Sequence, residues 1–136
     1  MALGAYIVEM AAPDEKPIVW VRSSKRDLKA FPKEVRSQIG YALAVAQEGG
    51  KHPDAKPLKG FGGAGVLEVV EDFDGDTFRA VYMVRFEEGI YVLHAFQKKS
   101  KSGTATPQRE MTLIRERMKR AEELHAQQLE ETSGEP

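Results

Sequence analysis

The sequence predicts an α+β domain in which helices pack against one face of an antiparallel sheet. Apolar residues recur every three or four positions in two separate segments, which is typical of amphipathic helices. Between those segments lie three short stretches rich in β-branched and aromatic residues, divided by Asp74 and Gly75 and then by Glu88 and Gly89. Because such short connections force neighbouring strands to run antiparallel, the predicted order is strand, helical hairpin, three-stranded meander and C-terminal helix.

The first half of the chain supplies the strand and the helical hairpin. Residues 17–21 are β-branched and aromatic and predict a strand, while residues 1–16 form an N-terminal extension in which residues 6–8 can add a further short strand. Two helices are predicted over residues 23–30 and 32–48. The second has an apolar face formed by Phe31, Val35, Ile39, Leu43 and Ala46.

The second half supplies the meander and the last helix. A polar loop over residues 51–59 precedes it, and a second polar loop over residues 100–106 follows it. Pro107 is a favourable first residue for the final helix. The predicted strands cover residues 66–71, 77–86 and 90–98, and the apolar stripe of the helix consists of Met111, Ile114, Met118 and Ala121.

Composition limits the classes of protein to consider. The 136 residues are 41% hydrophobic and 30% charged, and a chain of this length can build a core without covalent staples. The absence of cysteine excludes a disulfide framework, a cysteine zinc site and a thiol nucleophile, and it favours a reducing compartment. Since the longest apolar run, residues 41–46, is far shorter than the roughly 20 residues of a membrane helix, we expect a cytoplasmic protein with no membrane partner.

The charges are distributed unevenly along the chain. Residues 1–120 carry 20 basic and 16 acidic side chains, whereas residues 121–136 carry five glutamates and neither lysine nor arginine. Within residues 94–120, eight lysines and arginines face only Glu110 and Glu116. A basic stretch of this density indicates a polyanion as partner.

Three patterns in the sequence resemble cofactor or metal sites, but their surroundings or spacing do not fit such sites. Residues 60–65 match the spacing G-x-G-x-x-G but are followed by a predicted strand, whereas a dinucleotide fold requires a helix there. The three histidines lack the spacing of metal ligands, and the acidic residues around the hairpin turn lack the order of a calcium loop. We therefore predict no cofactor and no metal. We interpret the acidic residues as a solvated hairpin turn; they are Glu68, Glu71, Asp72, Asp74 and Asp76.

A basic and aromatic group is the most informative set of residues. Arg79 and Arg85 are an even number of residues apart in one predicted strand, and alternation places His94, Phe96 and Lys98 on one face of the next. Cations around an aromatic ring suit single-stranded nucleic acid, but an ordinary solvated sheet face is an equally good reading, and a lone strand histidine is more often packed than catalytic. The group also includes Lys59, Lys99 and Lys101.

Four segments of the chain resemble the RelE/ParE toxin superfamily, and within it the HigB-type group of phage-derived toxins. They are KPLKG at residues 56–60, GVLEV at 65–69, FRAVY at 78–82 and VLHAFQKKS at 92–100. The resemblance covers residues 17–119 and implies a RelE-like toxin domain, which we place at residues 17–125. The acidic and polar composition of residues 126–136 predicts a flexible tail.

The resemblance implies the toxin of a bacterial type II toxin–antitoxin pair, bound by a cognate antitoxin with a helix-turn-helix domain. Many relatives cut mRNA, often on the ribosome, without a metal, whereas others inhibit DNA gyrase. We therefore expect a metal-independent mRNA endoribonuclease; the alternatives are a non-catalytic inhibitor of a protein such as gyrase and an inactive prophage-derived binding protein. In the expected site Arg79 holds phosphate charge, Lys98 or His94 transfers a proton, Phe96 stacks on a base, and Lys59, Arg85 and Lys99 contact the RNA backbone.

Overall fold

A computed structural model describes residues 6–9, 14–98 and 106–133, which form one six-stranded sheet and three helices. The elements are β1 (Tyr6–Glu9), β2 (Ile18–Val21), α1 (Ser24–Lys29), α2 (Lys33–Gln47), β3 (Ala55–Pro57), β4 (Val66–Phe73), β5 (Asp76–Met83), β6 (Ile90–Lys98) and α3 (Gln108–Ser133). The strand order across the sheet is β1-β2-β6-β5-β4-β3.

The predicted meander is present at the centre of the sheet. Strands β4 and β5 pair antiparallel through the turn at Asp74 and Gly75, and β5 pairs antiparallel with β6. Both turn residues have positive φ, 52° for Asp74 and 84° for Gly75. Two-residue turns of this kind match the twist of the flanking strands, and Asp-Gly is one of the sequences that adopt them most readily.

The sheet is larger than the sequence predicts. Strand β2 joins it parallel to β6, and β1 pairs antiparallel with β2 inside the predicted N-terminal extension. Strand β3 lies in the predicted polar loop and pairs antiparallel with β4. A three-residue strand leaves little periodicity to detect, and its formation depends on the open edge that β4 presents.

Helices cover both faces of the sheet, so the prediction that they pack against one face is wrong. Helices α1 and α2 cover the face that carries Trp20 and Tyr82, whereas α3 places Ile114 and Ala121 over the other face, against Val81. Neighbouring residues in the central strands are apolar on both faces. A sheet of that kind needs a cover on each side.

A bulge changes which side chains of β6 reach α3. Val81 pairs with His94 and Tyr82 pairs with Val92, so Leu93 is an extra residue without an opposite partner in β5. Leu93 packs in the core under α3, and His94 bonds to residues of α3. The prediction that places His94, Phe96 and Lys98 on one face assumes strict alternation, which would send Leu93 to the opposite face from His94; the bulge makes that assumption wrong, and both side chains lie on the α3 face.

Helix α3 runs for 26 residues and ends at Ser133. Its first turn is marked by the Met111 amide, which donates to the Pro107 carbonyl at 3.0 Å. Among the described helices, none combines the length and the apolar character that crossing a membrane would require.

Candidate active site beneath the third helix

A buried ion pair lies on the face of the sheet that α3 covers. The Arg79 Nη1 atom of β5 donates to the Glu68 Oε2 atom of β4 at 3.2 Å, and it also lies 3.2 Å from the Thr106 hydroxyl just before α3. Arg79 is 4% exposed and Glu68 is 6% exposed. Since each charge depends on the other for compensation in this setting, the pair holds both side chains in one place.

A cavity of about 480 Å³ opens beside this pair. Lys56 of β3 and Lys59 of the following loop are exposed, and both line the cavity together with Glu68. The loop passes close to α3 at Gly60, whose φ is 97°; a Cβ there would lie 3.3 Å from the Arg115 Nη2 atom. The cavity thus brings Glu68 and two lysines to one region, and Arg79 is connected to it through the hydrogen bond to Glu68.

His94 is held at both ring nitrogens. Its Nε2 atom lies 2.6 Å from Glu110 Oε1, and its Nδ1 atom lies 3.1 Å from Arg117 Nη1, both on α3. Arginine only donates hydrogen bonds, so Nδ1 is the acceptor and Nε2 carries the proton of a neutral ring. Burial lowers the pKa of His94 below its ordinary value and Arg117 lowers it further, while the hydrogen bond to Glu110 opposes the shift.

The Phe96 ring is buried in the fold and is not exposed on the surface. It is 8% exposed and stacks on the His94 ring, with the two centroids 5.0 Å apart and the planes 22° from parallel. Phe96 also lies opposite Arg79 in the strand pairing. The structure therefore brings Arg79, His94 and Phe96 together beneath α3, where each is less than a tenth exposed.

The other predicted site residues are spread more widely. Arg85 lies beyond the end of β5, where its guanidinium donates to Glu122 of α3 at 2.7 Å and lies 4.6 Å from the Phe86 ring centroid. Lys98 ends β6 and is half-buried opposite Thr77, whereas Lys99 lies outside the described residues. The even spacing of Arg79 and Arg85 therefore does not place them on one strand.

Sequence reasoning assigned Glu68 to a solvated acidic turn and so missed its role in the buried pair. A signal was available, because Glu68 is the one charged residue in the stretch 66–70, VLEVV, whose neighbours read as a buried strand. A charge in such a strand needs a buried partner of opposite sign. The partner is not adjacent in sequence, and only the pairing of β4 with β5 shows it.

The described residues contain no group of three or more histidines and carboxylates arranged to hold a metal ion. Around the acidic turn, burial raises the pKa of Glu71 to about 7, and the neighbouring carboxylates Asp54 and Asp72 add to the shift. The Glu71 carboxyl group is therefore mostly protonated below about pH 7.

A family model described as Phage derived protein Gp49-like (DUF891) matches residues 26–119 of the chain. The match includes all of β4, β5 and β6 and therefore contains Glu68, Arg79 and His94. No curated protein matches the chain, and no solved structure does.

Proposed function

The chain belongs to the Gp49-like family of phage-derived proteins, and from this premise we propose that it is the toxin of a bacterial type II toxin–antitoxin pair. Its proposed activity is metal-independent cleavage of mRNA in the cytoplasm, on or off the ribosome, silenced by a cognate helix-turn-helix antitoxin. The resemblance of four segments to the RelE/ParE superfamily supports this proposal. The observation that carries the activity is the Glu68–Arg79 pair beside a lysine-lined cavity.

The proposed reaction is an internal attack by the RNA 2'-hydroxyl on the adjacent phosphorus. The Glu68 carboxylate accepts the hydroxyl proton, the new O2'–P bond forms, and the P–O5' bond breaks. A proton is delivered to the departing 5'-oxygen, so the products are a 2',3'-cyclic phosphate and a free 5'-hydroxyl. The Arg79 guanidinium stabilises the charge that builds on the phosphoryl oxygens.

Lysines complete the proposed site. Lys59 lines the cavity, and we assign it as the proton donor; Lys98 is the residue for proton transfer predicted from the sequence. Lys56 attracts the phosphate backbone together with Lys59, and backbone contacts from Arg85 and Lys99 remain predictions. His94 acts as a positioning residue, because both of its ring nitrogens are already bonded to α3.

The proposal is tested by incubating purified protein with mRNA, with and without ribosomes, in the presence of EDTA. We expect cleavage that leaves 2',3'-cyclic phosphate ends and that survives chelation. Glu68→Gln should remove cleavage while circular dichroism reports an intact fold, and Lys59→Gln should reduce it. The matched control is Lys33→Gln, an exposed lysine at the start of α2, on the opposite layer, which should cleave at the wild-type rate.

A different outcome would contradict the nuclease proposal. If the protein cleaves no mRNA under either condition and its expression does not slow growth, the proposed function fails. Restoration of lost activity by Mg²⁺ after chelation would contradict metal independence.

A second candidate function is a non-catalytic inhibitor of a protein target such as DNA gyrase. The supporting observation is that Arg79, His94 and Phe96 are all less than a tenth exposed beneath α3. Growth arrest with intact mRNA, together with loss of gyrase supercoiling activity in vitro, would favour this candidate over the nuclease.

A further inference from the structure

Arg117 of α3 lies on the flank of the helix away from the Glu68 cavity. Its Nη1 atom is 3.1 Å from the Leu93 carbonyl oxygen and 3.1 Å from His94 Nδ1, and its Nη2 atom donates to the Ser23 hydroxyl at 3.2 Å. All three acceptors are neutral. Within residues 6–9, 14–98 and 106–133, no carboxylate forms an ion pair with this half-buried guanidinium.

Asp27 is the first carboxylate reached along the hydrogen bonds from Arg117, and Ser23 lies between the two. The Ser23 hydroxyl donates to Asp27 Oδ2 at 2.7 Å, and Asp27 also lies 3.6 Å from Arg26 Nε. Asp27 is therefore shared and reaches Arg117 only through Ser23. Burial lowers the pKa of Arg117 and Arg22 lowers it further, whereas the carboxylates of Asp27, Glu110 and Glu116 raise it without forming an ion pair with the guanidinium. A guanidinium remains charged inside proteins, so these more distant carboxylates compensate the charge only in part.

Arg22 and Arg117 line the same cavity. The cavity measures about 320 Å³ and is lined by Arg22, Ser23, Leu113, Glu116 and Arg117; we call it the Arg22–Arg117 pocket. Arg22 is exposed and forms the turn between β2 and α1 with φ of 53°. Left-handed backbone at a residue other than glycine is strained and is found preferentially at functional sites.

We propose that the Arg22–Arg117 pocket binds a phosphate group. Two guanidinium groups offer donors in the fork geometry that matches phosphate oxygens, and a bound anion would compensate the charge of Arg117. Glu116, which also lines the pocket, repels an anion and limits the affinity. The phosphate group belongs either to a polynucleotide or to free phosphate in solution. The proposal depends on the surroundings of Arg117 and does not require the proposed nuclease activity.

The first test uses inorganic phosphate as the probe, exchanged for chloride at constant ionic strength. Phosphate should raise the unfolding temperature of the full-length protein, since a ligand that binds only the folded state stabilises it. Arg22→Gln should weaken phosphate binding about tenfold, as expected for loss of a charge-assisted hydrogen bond. Glu116→Gln should strengthen it, because the repelling carboxylate is gone.

The matched control is Arg36→Gln, an exposed arginine of α2 on the opposite layer, which makes the same change in net charge. It should bind phosphate as the wild type does. The proposal is overturned if phosphate has no effect beyond that of chloride, or if Arg22→Gln and Arg36→Gln behave alike. Arg22 is preferred to Arg117 for this test because Arg117 also holds Leu93 and His94 in place.

The source of the phosphate is distinguished with single-stranded DNA, which lacks the 2'-hydroxyl and cannot be cleaved by the proposed reaction. Competition between the oligonucleotide and inorganic phosphate, lost in Arg22→Gln, identifies a polynucleotide phosphate. Binding of inorganic phosphate without such competition identifies a free phosphate site. Both results support a phosphate pocket, and both are independent of whether mRNA is cleaved.

Discussion

At the scale of single residues, the Glu68–Arg79 pair is where removal of one side chain should have the largest effect. Glu68→Leu and Arg79→Met should each lower the free energy of unfolding by about 3–5 kcal/mol, because each removes one member of a buried ion pair. The double variant should lose less than the sum of the two. Urea unfolding measures all three, and additive losses would show that the two charges do not stabilise each other.

His94 makes stability depend on pH in the acidic range. Because its pKa in the folded protein lies below the ordinary value of 6.5, the unfolded chain binds more protons as the pH falls below that value. The wild type should therefore lose stability relative to His94→Gln as the pH falls below about 6.5. Unfolding curves at several pH values measure this, and parallel pH profiles for the two proteins would contradict the assignment.

Glu71 should change the pH dependence of stability in the direction opposite to His94. Its pKa of about 7 lies above its ordinary value of 4.5, so the folded state holds a proton that the unfolded state releases. The stability that this group contributes is present below pH 4.5 and is lost as the pH rises through about 7. Glu71→Gln should remove that loss, whereas the control Asp74→Asn, in the exposed turn, should keep it; equal profiles for both variants would overturn the prediction.

At the scale of elements, α3 stabilises the fold by covering one face of the sheet. Ile114 is fully buried in that layer, whereas Leu129 in the same helix is 47% exposed. Ile114→Ala should lower the free energy of unfolding by about 2–5 kcal/mol through lost burial and the cavity it leaves. Leu129→Ala should change it by no more than about 0.5 kcal/mol. Similar losses for both, measured by denaturant unfolding, would mean that α3 is not held by its apolar stripe.

The same helix decides which charges face solvent. Glu110 bonds His94 and Glu122 bonds Arg85, while Arg79 is paired with Glu68 within the sheet. Two arginines of the predicted basic and aromatic group, Arg79 and Arg85, are therefore matched by carboxylates of the fold. What the sequence suggests as a basic sheet face is a neutralised layer between sheet and helix.

At the scale of the whole molecule, polyanion binding should depend on the cavity lysines more than on net charge. Replacing Lys56 and Lys59 together by glutamine should weaken RNA binding. It should also reduce the slope of log affinity against log salt concentration by about 1.4, the value expected for the loss of two phosphate contacts with single-stranded RNA. Replacing Lys33 and Arg36, exposed on α2, should leave the slope unchanged. Filter binding at several salt concentrations measures it, and equal slopes for both double variants would contradict a cavity-centred interface.

The sequence by itself determined the local elements of this protein. Helical spacing in α2 and α3, β-branched strands and the Asp74–Gly75 turn all depend on residues close together along the chain, so periodicity and turn chemistry were enough to place them. It also singled out Arg79, His94 and Phe96, which share one face of the sheet.

The tertiary structure alone decided how those elements combine. The parallel pairing of β2 with β6, the placement of α3 on the face opposite α1 and α2, and the extra residue Leu93 all depend on contacts between distant segments. The tertiary structure also decided the hydrogen-bond partners of the buried polar residues. Arg79 pairs with Glu68 of the neighbouring strand, and His94 bonds to Glu110 and Arg117 of α3. A buried charge requires a partner, but only the packed fold determines which residue supplies it.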